Sequence, residues 1–406
     1  MPQPLVVIGA ALTAAKAVEQ LREDGFSGPV VVYGDETHLP YERPPLSKGY
    51  LMGEATVADA TVHDHAWYAA HDVDLRLGTT VTGVDRDSRA VVTADGTQPY
   101  EQLLLATGAA PRRLPMADRS GADVHYLRTL DDSDRLRESL QSGRRVAIVG
   151  GGWIGLEVAA AARIAGCEVT VLESLGLPLL RVLGPEVAKR FAALHRAHGV
   201  DLRTGATLTA IEAVDAGGPG GGAVLRLDTG DRVECDLVVV GIGVVPRTGL
   251  AEDAGLEVDD GIVVDEYLRT SDPAVLAAGD VANAYHPRLE RHLRVEHWDN
   301  AIGQGQAAAR SMLGGGSPYE RLPYFFTDQY DLGMEYVGSV GPDGYDRVVV
   351  RDGPDDAFTA FWVRGDRVLA GMHANDWDAI EPVRRIVEAG RVTEALLDVE
   401  VPLADV

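Results

Sequence analysis

The sequence predicts an α/β protein made of two Rossmann-like units followed by a C-terminal α+β domain. Three observations carry this prediction. The stretch from Val146 to Glu173 runs from an apolar, β-branched strand into Gly150-Gly151-Gly152-Trp153-Ile154-Gly155, then an Ala-rich helix, then a second strand that closes on Glu173. Residues 5–33 repeat that order, with Gly9, Ala11 and Ala14 at the positions of the three motif glycines. From Pro323 onward the composition turns aromatic and β-rich.

A glycine triplet alone says little. A strand before it, a helix after it and an acid about twenty residues further on complete a dinucleotide-binding βαβ unit. Gly150 permits the tight turn, Gly152 lets the backbone approach a pyrophosphate, and Gly155 lets helix and strand pack closely. The helix N-terminus offers unpaired N–H groups to the phosphates. Glu173 is placed to accept from a ribose 2′-OH and to repel a 2′-phosphate, which favours NAD over NADP. Two such units imply two dinucleotides, although a Cβ at Ala11 crowds the pyrophosphate of the first.

In chain order, strand Leu5–Ile8, the Gly9–Ala14 turn, a helix to about Glu23 and strand Val30–Tyr33 open the chain. Paired prolines Pro44 and Pro45 stiffen the following loop, which presents Arg43 and Lys48. Leu75–Val81 and Ala90–Thr93 read as short strands with a hairpin turn at Asp95-Gly96, and a buried strand from Tyr100 leaves through Ala106-Thr107-Gly108. Pro111–Pro115 reads as a linker, and Leu127–Asp132 begins a helix with acids in its first turn. After the central βαβ unit come a helix near Pro185–His198 and strand Asp201–Arg203. Gly217–Gly222 reads as a mobile hairpin tip between Leu208–Val214 and Ala223–Leu227. A second buried strand ends at Gly241-Ile242-Gly243, and Val244-Val245-Pro246 returns the chain to the first domain.

Strand Ile262–Val264 and an apolar run up to Gly279-Asp280 follow, then Glu296-His297-Trp298, which opens a helix of small residues to about Leu313. The C-terminal domain is expected to hold strands Tyr336–Val340, Arg347–Val350, Ala357–Val363 and Val368–Met372, closed by helix Asp378–Ala389. The expected domains are 1–112 with 244–321, 113–243, and 322–406.

Composition narrows the function. With 406 residues and 46% hydrophobic side chains the chain can bury more than one core. A net charge of -25 argues against nucleic acid or a membrane surface as partner. No run of 18 apolar residues exists, and the N-terminus lacks a signal peptide's basic region, so a cytoplasmic protein is expected. The two cysteines, Cys167 and Cys235, form no C-x-x-C pair, so neither a dithiol redox centre nor a zinc site is expected and no metal is assigned. Lysine occurs only at Lys16, Lys48 and Lys189, which makes Lys48, inside a motif, conspicuous.

These blocks, together with Pro40-Tyr41-Glu42-Arg43-Pro44-Pro45-Leu46-Ser47-Lys48, resemble the FAD- and NADH-dependent ferredoxin reductases of cytochrome P450 and Rieske oxygenase systems and the related apoptosis-inducing-factor group. The resemblance spans the full length and implies a glutathione-reductase-like FAD/NAD fold. It implies that Asp35 or Glu36 meets the FAD ribose, and that Arg43 and Lys48 approach flavin and pyrophosphate. By the same likeness Val81 contacts adenine, Ala106, Thr107 and Arg128 line the flavin site, and Asp280 binds the ribityl chain. Gly150, Gly152, Ile154, Gly155 and Glu173 would hold NADH, with Gly241, Ile242 and Gly243 beside the nicotinamide. Ala11 and Ala14 depart from the usual glycines, and Tyr324 and Phe326 from frequent tryptophans.

On this reading the cofactor carries the chemistry, and the protein stacks the two rings and manages charge. Lys48 and Glu157 are expected to pair near the flavin, with Glu157 in the first turn of the NAD-binding helix. The helix opening at Glu296, His297 and Trp298 is expected to aim its N-terminus at the flavin's pyrimidine side. Arg288, Arg291 and Arg294, with His292, form a basic island that suits an acidic [2Fe-2S] or related ferredoxin. The protein is expected to act as a monomer or homodimer. Rival expectations are an NADH oxidase or quinone reductase, and a redox-sensing interaction protein like apoptosis-inducing factor.

Overall fold

The computed structural model describes residues 3–214 and 221–406; residues 217–220 of the expected hairpin tip lie outside the described residues. The chain forms two compact units, one of residues up to 43, 57–110 and 244–323, the other of residues 44–56, 111–243 and 324–406. The expected division differs from this in two respects. Residues 324–406 group with the central segment, and the short piece Pro44–Thr56 leaves the first segment to join them. The reason is local packing: the Tyr50 hydroxyl donates to Asp134 at 2.8 Å, and the Ser133 hydroxyl donates to the carbonyl of Leu46 at 2.8 Å.

The first unit is built on a five-stranded parallel sheet in the order Val275–Ala277, Gln102–Leu105, Leu5–Ile8, Val30–Tyr33, Val73–Arg76. The central strands are apolar on both faces, as a sheet covered on two sides requires, and every residue of Leu5–Ile8 and Val30–Tyr33 is buried. Helix Leu12–Glu23 packs against helix Trp298–Met312. The close approach depends on small residues: a Cβ on Gly305 would lie 2.5 Å from the carbonyl oxygen of Thr13. The predicted strand Leu75–Val81 is in fact two, Val73–Arg76 and Val81–Asp85, broken where Gly78 takes a φ of +64°. The first joins the parallel sheet. The second forms an antiparallel three-stranded sheet with Ala90–Thr93 and Gly96–Pro99.

The second unit repeats this plan. Its parallel sheet runs Val124–His125, Leu237–Val240, Arg145–Val149, Glu168–Glu173, Asp201–Thr204, each strand in the place of its counterpart in the first unit. An antiparallel three-stranded sheet, Leu208–Val214 with Gly222–Leu227 and Arg232–Cys235, is attached in the same way. The C-terminal part is a five-stranded antiparallel sheet, ordered Tyr324–Gln329, Leu332–Gly338, Arg367–Ala374, Phe358–Arg364, Arg347–Asp352, with helix Ile380–Ala389 on it. It shares one core with the central segment. Phe325 and Trp362 belong to the same buried cluster as Ile148 and Phe191, and the Trp362 indole N–H donates to the carbonyl of Leu183 at 3.1 Å.

Candidate active site

The three motif glycines of the second unit do three different things. Gly150 sits at φ +109°, and a Cβ there would fall 2.3 Å from the carbonyl oxygen of Gly241. Gly155 is packed so tightly that a Cβ would lie 2.1 Å from the carbonyl oxygen of Gly150. Gly152, between them, has no heavy atom within 4 Å of where its Cβ would be, so the backbone there borders open space. No side chain caps helix Trp153–Ile164, and no acid stands in its first turn, because Glu157, expected there, is the fifth helical residue and lies one turn further in. By contrast, Leu130–Ser139 carries a complete Thr129/Asp132 capping box with Asp131 and Asp132 in its first turn. An uncapped, acid-free N-terminus beside open backbone is a cradle for an anion. Ile154, 45% exposed, lies in that first turn. Glu173 accepts from the Gly151 N–H at 2.9 Å and the Leu175 N–H at 2.7 Å, which fixes its carboxylate at the rim of the cradle. Ile242 reaches within 3.4 Å of the Gly150 Cβ position, and Gly243 turns the chain at φ +97°.

The first unit carries the same device with different side chains. Gly9 has φ +107°, and a Cβ there would meet the carbonyl oxygen of Ala106 at 2.1 Å. Ala11, half-buried, caps helix Leu12–Glu23 in an extended conformation that needs no glycine, and again neither a capping side chain nor a first-turn acid is present. Ala14 is buried with its methyl accommodated. Asp35 is paired with Arg247 at 2.7 Å, while Glu36 is held by Arg43 at 3.1 Å and by the Tyr41 hydroxyl at 2.5 Å. Burial opposes the charge on Arg43, but Tyr41, Glu36 and Asp280 outweigh it and raise the guanidinium above its usual range. The Thr107 hydroxyl donates to the carbonyl of Arg247 at 2.8 Å, and Val81 is buried at the start of its strand. Asp280 lies in a single 3-10 turn after Val275–Ala277.

Helix Trp298–Met312 starts from His297 in extended conformation, with no side-chain cap. Its one first-turn acid, Asp299, is bound by Arg321. Glu296 is bound by Arg294, which also lies 3.4 Å from Asp260. Part of the basic island is a strand, Arg291–Arg294, paired with Ala282–His286, and the charge of Arg294 is compensated by two acids. Arg288 and His292 are exposed. In the second unit, Arg128 precedes the Thr129 cap, its backbone N–H donating to Asp132 at 3.1 Å.

Lys48 and Glu157 meet inside the second unit, Nζ to Oε1 at 2.8 Å, with side chains 15% and 4% exposed. Two hydroxyls complete the setting, Ser47 donating to Oε2 at 2.5 Å and Thr327 to Oε1 at 2.6 Å. The Lys48 ammonium also lies 5.5 Å from the centre of the Phe326 ring. Three donors converge on one buried carboxylate and leave neither of its oxygens without a hydrogen bond.

A family profile described as pyridine nucleotide-disulphide oxidoreductase matches residues 3–305, and one described as reductase C-terminal matches residues 324–406. The chain belongs to the pyridine nucleotide-disulphide oxidoreductase family. Within it, this reductase is 43% identical to the anthranilate 1,2-dioxygenase system ferredoxin–NAD(+) reductase component of Burkholderia cepacia, over 96% of this chain and 95% of the relative. It is 39% identical to the putidaredoxin reductase of Pseudomonas putida, over 97% and 92%. The solved covalent putidaredoxin reductase–putidaredoxin complex superposes with a TM-score of 0.93 at 38% identity, covering 99% of this chain and 97% of that one. The reductase is thus an oxidoreductase of the ferredoxin reductase group, using FAD and NADH. Two open cradles, at Gly150–Gly155 and Gly9–Ala14, fit two dinucleotides.

The disulphide of the family name has no counterpart here. Cys167 and Cys235 are free and buried, and burial pushes the Cys235 thiol up to about 12 and raises that of Cys167. Sequence reasoning missed Ser47, Thr327 and Arg247. Ser47 stands inside the quoted Pro-Pro-Leu-Ser-Lys block and could have been singled out, but nothing local marks Thr327 or Arg247. Among the described residues no cluster of His, Cys, Asp or Glu is arranged to hold a metal ion, and no helix is long and apolar enough to cross a membrane.

Proposed function

We propose that this chain passes electrons from NADH through FAD to a small iron–sulfur ferredoxin that feeds a cytochrome P450 or an oxygenase. The observation that carries the reading is the buried Lys48–Glu157 pair, with Glu157 in the second turn of the nucleotide-binding helix, in a chain whose relatives are ferredoxin–NAD reductases. Residues 1–112 with 244–321 bind FAD, 113–243 bind NADH, and 322–406 form the C-terminal domain. Bound FAD supplies the exchange between two-electron hydride uptake and one-electron delivery.

The protein's own residues do the rest. Ala11 on one side and Gly152 on the other offer backbone N–H groups to the two pyrophosphates, while Gly9 and Gly150, whose N–H groups donate to the carbonyls of Tyr33 and Leu172, make the tight turns that bring them there. Asp35 and Glu36, with Val81, receive the FAD adenosine, and Arg43, Ala106, Thr107 and Asp280 line the rest of that site. Glu173 takes the NADH ribose and disfavours a 2′-phosphate. Gly241, Ile242 and Gly243 border the nicotinamide. Glu157 holds the Lys48 ammonium in one place, where it stabilises negative charge that builds on the ring system during hydride uptake. The N-terminus of helix Trp298–Met312, with Glu296, His297 and Trp298, serves the same end through its dipole. Arg288, Arg291 and His292 steer an acidic ferredoxin, with Arg294 assigned to holding Glu296 instead. The protein is assigned to the cytoplasm.

The test is anaerobic mixing of the purified, yellow protein with NADH while flavin absorbance is followed. Losing a charge-assisted bond costs about 1.5–3 kcal/mol, so Lys48→Met and Glu157→Gln should each slow bleaching roughly 10- to 100-fold. A colourless preparation, or unchanged rates in both variants, would remove the reading.

A further inference from the structure

A line of buried polar side chains runs from Glu157 away from Lys48, all of it within the second unit. Thr327 donates to Glu157 Oε1 at 2.6 Å, and Gln329 Nε2 donates to Thr327 Oγ1 at 3.1 Å. Gln329 Oε1 lies 2.8 Å from His195 Nε2, and the Tyr330 hydroxyl lies 3.4 Å from His195 Nδ1. Thr327 and Gln329 are 1% exposed and His195 is not exposed at all. Burial pushes His195 down to about 4, so at neutral pH the ring carries a single N–H.

The donor directions follow from proton counting. A hydroxyl has one proton to give, so Thr327, which accepts from Gln329, must spend its own on Glu157. Gln329 can present its nitrogen to Thr327 only while its oxygen faces a donor, and the donor there is His195 Nε2–H. That tautomer leaves Nδ1 as an acceptor for the Tyr330 hydroxyl. Tyr330 occupies the two-residue loop between Tyr324–Gln329 and Leu332–Gly338 with φ +57°. A tyrosine stays in the left-handed region only where contacts hold it, and here its ring also stacks on His198 at 3.8 Å.

We propose that His195 is a positioning residue for the hydride step: it sets the orientation of the Gln329 amide, which aims the Thr327 proton at Glu157 and so fixes the carboxylate against Lys48. The amide in the middle of the line means that the line orients groups and does not conduct protons. Without the imidazole, the Gln329 oxygen has no donor. The amide then turns over, takes the Thr327 proton for itself, and leaves Glu157 with one donor fewer.

The proposal rests on the function proposed above, and two measurements separate them. In single-turnover reduction of the holoprotein by NADH, His195→Met and Thr327→Val should each slow flavin bleaching about tenfold, the value of one lost hydrogen bond, with little change in NADH affinity. The double variant should be no slower than either single one, because both act through the same bond. His195→Gln, whose amide nitrogen can replace Nε2–H, should restore the rate. Independently of turnover, nitrogen-15 spectra should show His195 as the neutral Nε2–H tautomer, with its signals displaced in Thr327→Val. A proton on Nδ1, additive single effects, or His195→Gln as slow as His195→Met would each overturn the positioning role. Wild-type flavin that NADH does not reduce would overturn the proposed activity instead, and the tautomer would still decide the line.

Discussion

Glu157 is a carboxylate with 4% of its side chain exposed, and it survives there because the adjacent Ser47 and Lys48 and the distant Thr327 reach it from two separate parts of the chain. On His195 burial acts in the opposite sense, outweighing the hydrogen bond to Gln329 and disfavouring the charged ring. Its folded-state value is about 4 against an ordinary 6.5, so as pH falls the unfolded chain takes up the proton first. The associated stability is fully present above pH 6.5 and is lost as pH drops toward 4, amounting to about 3 kcal/mol. Urea midpoints measured at pH 7 and pH 4.5 should therefore fall further in the wild type than in His195→Gln, which has nothing to titrate there. Equal falls would mean that the imidazole is already charged in the folded protein.

At the scale of the elements, the two βαβ turns separate glycines that build the fold from a glycine that serves a ligand. A Cβ at Gly155 would sit 2.1 Å from the carbonyl oxygen of Gly150, so Gly155→Ala must displace helix Trp153–Ile164 from its strand. Overpacking of that kind costs about 1–3 kcal/mol, and thermal unfolding should register it with or without nucleotide. Gly152→Ala meets nothing within 4 Å, so its melting point should stay near the wild-type value while the KM for NADH rises about tenfold or more. The first unit already carries alanine at the corresponding position, Ala11. Its methyl costs the fold nothing because the backbone there is extended, not left-handed. Thr129→Ala, which removes one half of a capping box, should cost about 1 kcal/mol and leave NADH kinetics alone.

For the whole molecule the dominant quantity is charge. At -25 the chain repels an acidic protein at long range, so productive encounter has to rely on local positive potential. That potential is assigned to Arg288, Arg291 and His292, on and just before the strand Arg291–Arg294. Arg291→Glu combined with Arg288→Glu should lower kcat/KM for an acidic ferredoxin about tenfold at low ionic strength, and the gap should close as salt shortens the screening length. Reduction of a small neutral acceptor should not change. A salt-independent rate with ferredoxin would place the docking surface elsewhere.

The sequence by itself determined the doubled βαβ plan, most strand positions and both cradles. Those features depend on neighbours in the chain: β-branched runs, a glycine where φ must be positive, an acid at the end of the next strand. The Lys48–Glu157 pair was legible because both residues lie in recognisable motifs. Tertiary structure decided what surrounds them. Ser47 and Thr327 stand 110 and 170 residues from Glu157 along the chain, and a serine or threonine carries no local mark of the carboxylate it will meet. The grouping of Pro44–Thr56 with the second unit, the split of Leu75–Val81 and the neutralisation of Arg294 were hidden for the same reason. Each depends on which distant surface a segment packs against, and period and propensity do not encode that.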